Sequence, residues 1–154
     1  MISISLQGGL GNYLFQIGTA YTLAVSNGDE FVVDNNDIYG QHGHVDTYKT
    51  NILRHVNFID GFTPLNRYSE PKFSYTEIPY QQNLKLGGYY QSEKYLNKEK
   101  ILKLFKIDQT SKDYIDEKYG DILKTNTCSI HVRRGDYLKF PQNHPVMDMG
   151  YYRK

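Results

Sequence analysis

The chain has 154 residues, with 15 tyrosines and no tryptophan, and its 18 basic and 17 acidic side chains leave a net charge of +1. That balance excludes a global electrostatic case for nucleic acid or an anionic membrane as partner. The single cysteine, Cys128, excludes an internal disulfide and a multi-cysteine zinc site.

Residues 2–6 alternate apolar and polar, the period of a strand. Three glycines follow, Gly8, Gly9 and Gly11, and then a helical pattern from Asn12 to about Ser26. Leu14, Ile17, Tyr21, Ala24 and Val25 fall on one face of that helix, and Asn27-Gly28 is a stop signal. Glu30 to Asp34 reads as a second strand, so the opening predicts a βαβ unit with parallel strands. Asp29, Glu30 and Asp34 read as surface charges flanking that strand. Residues 35–50 are polar and without period, and a short helix is expected around 50–56. Residues 61–83 carry three prolines and read as loop with one short strand near 73–78. Leu84 to Gln91 contains a strand end, and residues 97–106 are helical. Thr110-Ser111-Lys112-Asp113 resembles a capping box that opens a helix to about Lys124. Thr127 to Arg133 is expected to be a strand, which places Cys128 as a buried thiol. Asp148 to Tyr152 leads into another helix. The class is α/β with a parallel sheet.

The N-terminus has neither a basic n-region nor a long apolar run, and no segment reaches the roughly 18 apolar residues that span a bilayer. A soluble cytoplasmic protein is expected, at most peripheral at a membrane. The tyrosine content suits wet clefts that receive polar ligands, although most tyrosines fill cores and surfaces.

Two segments carry chemistry. Gln7 to Gln16 joins a strand to a helix through glycines, which let backbone approach a ligand, and the helix start offers unpaired N–H groups suited to phosphate. No Lys-Ser/Thr follows the glycines, so it is not a P-loop, and the third glycine of a dinucleotide fingerprint is absent. A tight turn without ligand is the alternative. In Ile130 to Tyr137, His131 and Arg133 share one strand face and Arg134 stands at the carboxyl end, where open α/β sheets bind ligands. Paired guanidinium groups suit a diphosphate; an internal ion pair of Arg134 with Asp136 is the alternative. His42 and His44 form His-x-His in a polar loop, which without further ligands reads as solvated.

Four segments in this order resemble glycosyltransferase family 11, the galactoside α-1,2-fucosyltransferases: Gly8 to Gln16, Gly88 to Tyr95, His131 to Tyr137, and His144-Pro-Val followed by Tyr151-Tyr152. Tyr13 stands where that family's pattern has glutamine. The resemblance implies a GT-B-like fold of two α/β domains. Residues 1–125 would be the N-terminal domain, and 126–154 the first strand and start of a nucleotide-binding domain that the chain leaves incomplete. It implies inverting transfer of L-fucose from GDP-β-L-fucose to the 2-hydroxyl of a galactoside, with no metal or other cofactor. Gly9, Gly11, Asn12, His131, Arg133 and Arg134 would face the donor, with Arg134 and Asp136 at the reaction centre. Transfer by a chain completed through self-association or a second chain is one expectation. A non-catalytic remnant or a small glycan- or nucleotide-binding module is another, and a structural α/β protein with coincidental motifs is a third.

Overall fold

The computed structural model describes residues 1–39, 45–132, 134–139, 142 and 145–153, and of Asp136 the backbone alone. The chain divides into two compact units, Met1–Ser111 and Lys112–Lys154. In chain order the elements are β1 (Ile2–Ile4), β2 (Leu6–Gln7), α1 (Leu10–Ser26), β3 (Phe31–Asp34), β4 (Ile38–Tyr39), α2 (Val45–Lys49), β5 (Phe58–Ile59), β6 (Asn66–Ser69), β7 (Leu84–Gly87), α3 (Lys98–Leu104), α4 (Gln109–Leu123) and α5 (Met149–Tyr152).

In the first unit five strands form a sheet in the order β5-β3-β1-β7-β6, and β2 pairs with β4 beside it. Every pairing is parallel, with Ile2 opposite Phe31 on one side and Leu84 on the other. The βαβ opening expected from the sequence is therefore present. All three residues of β1 are buried, including Ser3 at the polar phase of the alternation. A central parallel strand is covered on both faces, so alternation understates its burial.

The core joins Ile2, Ile4 and Leu6 to Ile17, Ala20 and Ala24 of α1, to Val33, and to Leu84 and Leu86. Full burial of each large aliphatic side chain contributes about 1.5–3 kcal/mol. The buried stripe of α1 includes Tyr13, Gln16 and Thr19, while Val25 is exposed. The inward face is thus turned from the expected one toward the polar side of the pattern. Asn27-Gly28 ends the helix as its sequence predicts: Gly28 has φ +66°, and the Asp29 amide donates to the Ala24 carbonyl at 2.9 Å.

Several expectations are corrected. The short helix lies at Val45–Lys49, and residues 50–55 are turns. The strand expected near 73–78 is Asn66–Ser69. Its residues alternate between half-buried and exposed at the sheet edge, where pairing with β7 rather than apolar content makes the strand. Asp34 is buried, 3% exposed, because three backbone amides converge on its carboxylate. The helix α4 begins at Gln109 and is capped by Asp108, whose Oδ1 accepts from the Ser111 amide at 2.7 Å and whose Oδ2 accepts from the Ser111 hydroxyl at 2.9 Å.

In the second unit, α5 starts where expected, with Asp148 as N-cap accepting from the Tyr151 amide at 3.1 Å. The described part of the expected strand, residues 127–132, is coil. Cys128 is exposed, as are Ile130 and Val132. A strand exists only through its ladder, and among the described residues of Lys112–Lys154 there is no strand for this segment to pair with. Among the described residues no helix is long and apolar enough to cross a membrane.

Candidate functional site

The strand order reverses between β1 and β7: from β1 the chain builds one side of the sheet through β3 and β5, and then β6 and β7 build the other. In open parallel sheets the crevice beyond the carboxyl ends at such a point receives ligands. Here two of the sequence segments singled out above meet at that place, the glycine loop after β2 and residues 88–91 after β7.

Two hydrogen bonds join them, and a third braces the glycine segment itself. Gln16, fully buried on α1, accepts from the Gln7 amide through Oε1 at 3.1 Å and donates through Nε2 to the Gly88 carbonyl at 3.1 Å. It thereby satisfies one orphan backbone group at the exit of each strand. Gln91 Nε2 donates to Asn12 Oδ1 at 2.7 Å. Gly8 has φ +89°, and a Cβ there would meet the Asn12 side chain at 2.1 Å, so the loop holds Asn12 only with glycine at this place.

Gly9 is the N-cap of α1, with no side-chain cap and no acidic residue in the first turn. Gly11 has open space around its missing Cβ. The first turn of a 17-residue helix thus presents its N–H groups at a half-exposed surface, the arrangement that favours an anion. Gly9, Gly11 and Asn12 all lie in this cap and first turn.

The opposite wall is a strained turn that the sequence does not reveal. Gly88 has φ +142° and a Cβ there would lie 2.5 Å from that of Glu70; Tyr90 has φ +51°, rare for a bulky residue. Glu70 Oε2 accepts from the amides of Tyr89 at 2.8 Å and Tyr90 at 2.9 Å. The Tyr90 hydroxyl donates to the Gly87 carbonyl at 3.1 Å. Burial, with the Glu70 carboxylate adding, holds the Tyr90 phenol far above its ordinary pKa, so it remains a donor. Glu70, Pro71, Lys72, Phe73 and Tyr89, with Gln7 and Gly88, line a cavity of 280 Å³ against this turn. A larger cavity of 630 Å³ lies along the C-terminal half of α1, lined by Thr22, Ser26 and Tyr80 among others. It holds none of the expected donor residues.

Beside the site a buried ion pair joins Lys85 of β7 to Asp37, which also accepts from the Tyr39 hydroxyl at 3.2 Å. Gln16, Glu70 and Lys85 are the residues that sequence reasoning missed. Gln16 closes the glycine segment, and that was its only signal.

In the second unit His131 and Arg134 are exposed. Arg134 precedes a turn at Gly135–Lys139, where the Tyr137 amide donates to its carbonyl at 2.8 Å. The strand-end placement expected for Arg134 is corrected to exposed coil, since no ladder forms. Arg133, the His42–His44 pair and His144 lie outside the described residues, as does the Asp136 side chain. Among the described residues no group of three or more His, Cys, Asp or Glu could hold a metal ion.

No family model matches the chain, and no solved structure does. Two curated proteins of Escherichia coli are similar to it. O-antigen biosynthesis glycosyltransferase WbnK is 26% identical over 195 residues, covering 97% of this chain and 65% of that protein. An alpha-1,2-colitosyltransferase is 26% identical over 162 residues, covering 86% of this chain and 54% of that protein. The chain spans between about half and two thirds of the length of these relatives, and both are glycosyltransferases.

Proposed function

We propose that this chain is part of a glycosyltransferase of GT-B-like fold that transfers L-fucose from GDP-β-L-fucose to the 2-hydroxyl of a galactoside with inversion. Residues 1–125 would form its first domain and 126–154 the start of its second. The observation that carries the reading is the junction of the glycine loop with residues 88–91 at the switch point, held by Gln16 and by the Asn12–Gln91 bond. Similarity to two glycosyltransferases supports the reaction class, and the α-1,2 linkage in one relative's name supports the position of transfer.

In this reading the donor's diphosphate meets the open first turn of α1 at Gly9, Gly11 and Asn12. The resemblance also assigns His131, Arg133 and Arg134 to the donor. As the fucose–phosphate bond breaks, negative charge grows on the diphosphate and positive charge on the sugar. Donors aimed at that growing charge lower the barrier, and each is worth about 3 kcal/mol. Asp136 takes the proton of the attacking hydroxyl or orients Arg134.

The test is incubation of the chain with GDP-fucose and a β-galactoside, with product read by mass spectrometry. A fucosylated galactoside that disappears in Arg134→Ala is expected. GDP binding without turnover would instead favour a binding module or a part that needs a completing chain. Absence of any GDP binding by titration calorimetry would overturn the donor assignment.

A further inference from the structure

We infer that the cavity beside the strained Gly88–Tyr90 turn is a sugar-ring subsite, with Phe73 and Tyr89 as its aromatic wall. The inference deepens the glycosyltransferase reading and rests on it for the class of ligand.

The cavity measures 280 Å³, near the low end of ligand pockets, which run roughly 300–1,000 Å³. That is room for one pyranose ring rather than a whole nucleotide. Its wall is aromatic: the Phe73 and Tyr89 rings are stacked, centroids 6.4 Å apart and 28° between planes. Phe73 is 75% exposed although it is a large apolar ring. Exposed Phe73 and half-buried Tyr89 give the cavity a flat apolar surface, and the C–H face of a pyranose is a match for it.

The polar part suits hydroxyls and opposes phosphate. Glu70 Oε2 holds the Tyr89 and Tyr90 amides, which fixes the carboxylate against the turn. Its Oε1 is shielded from solvent, so the polar side chains left for a sugar hydroxyl are Gln7 and Lys72 of the lining. Among the described residues Lys72 is the one basic residue of the lining, and the Glu70 carboxylate of the same lining carries the opposite charge, so there is no excess of positive charge to draw a diphosphate. The same lining includes Gln7, two residues before Gly9, which puts a bound sugar beside the proposed donor loop.

The probe is methyl β-D-galactopyranoside added to the whole chain, followed by saturation-transfer-difference NMR, with GDP binding measured separately by calorimetry. Wild type should transfer saturation most strongly to the ring's C–H face. Phe73→Ala and Tyr89→Ala should each weaken binding about threefold to tenfold. Phe73 is mostly exposed, so its variant remains informative if the Tyr89 variant fails to fold. No transfer from wild type would overturn the subsite. So would unchanged binding in Phe73→Ala, or displacement of the sugar by free guanosine. GDP binding without galactoside binding would sink the subsite and leave the donor reading standing; galactoside binding without GDP would do the reverse.

Discussion

Asn12 and Gln91 stand 79 residues apart in the chain, and their side chains meet at 2.7 Å. One follows the glycine loop and the other the strained turn after β7. Their bond, partly exposed to water, ties together the two loops that border the strand-order reversal. It should be worth about 0.5–1.5 kcal/mol. A double-mutant cycle with Asn12→Ala and Gln91→Ala, read by urea unfolding, should return a coupling of that size. A coupling indistinguishable from zero would show that the two loops are energetically independent.

Gln16 is a more demanding position because it is fully buried and serves two backbone groups at once. Gln16→Leu keeps the bulk and strands both the Gln7 amide and the Gly88 carbonyl. At about 1–3 kcal/mol for each orphaned group, a loss of about 2–6 kcal/mol is expected in urea unfolding. A loss under 0.5 kcal/mol, on the order of a neutral surface change, would mean that water replaces the side chain.

Gly8 and Gly11 should respond oppositely to the same substitution. Gly8→Ala puts a Cβ at φ +89° and against Asn12, so about 1–3 kcal/mol should be lost, together with the Asn12–Gln91 coupling. Gly11→Ala meets nothing within 4 Å inside a helix, so thermal unfolding should show a gain of about 0.4–1 kcal/mol. If the donor's phosphate approaches backbone at this turn, Gly11→Ala should nonetheless weaken GDP binding in calorimetry.

Acid should destabilise the fold partly through Asp34. Burial pushes its carboxyl pKa up, but hydrogen bonds from the amides of Asn36, Phe62 and Gly61 outweigh burial and hold it below the ordinary value. A pKa lower in the folded than in the unfolded state means stability that is fully present above the unfolded value, about 3.9. That stability is lost as pH falls through the folded value. Asp29 and Asp108 shift in the same direction. Urea midpoints should stay level from neutral pH to about 5 and fall below about 4. Asp34→Asn should lower the plateau and flatten the acid limb; an unchanged acid limb would remove Asp34 from the account.

The Lys85–Asp37 pair should be easier to replace than to break. Both side chains are largely buried. Asp37→Ala leaves an uncompensated ammonium in the sheet and should cost about 3–5 kcal/mol in urea unfolding. The double variant Lys85→Met, Asp37→Leu should recover much of that loss. Equal destabilisation in both would show that Asp37 matters through the Tyr39 hydroxyl instead.

The sequence by itself determined the opening βαβ unit, the stop at Asn27-Gly28, α3 and the helix after Asp148. Each is a local signal: a period of two or near 3.6, or a helix stop at Asn-Gly. It also marked the glycine loop and the Gly88 segment as places of interest. Only the tertiary structure decided that they meet, because the Gln16 and Gln91 bonds span strands brought together by parallel pairing. Pairing likewise made a strand of Asn66–Ser69, which no apolar alternation announces, and left residues 127–132 as coil despite their apolar content. Glu70, Lys85 and Asp34 look like surface charges in the sequence. Lys85 and Asp34 are buried and Glu70 half-buried through partners tens of residues away, and no window along the chain contains that information.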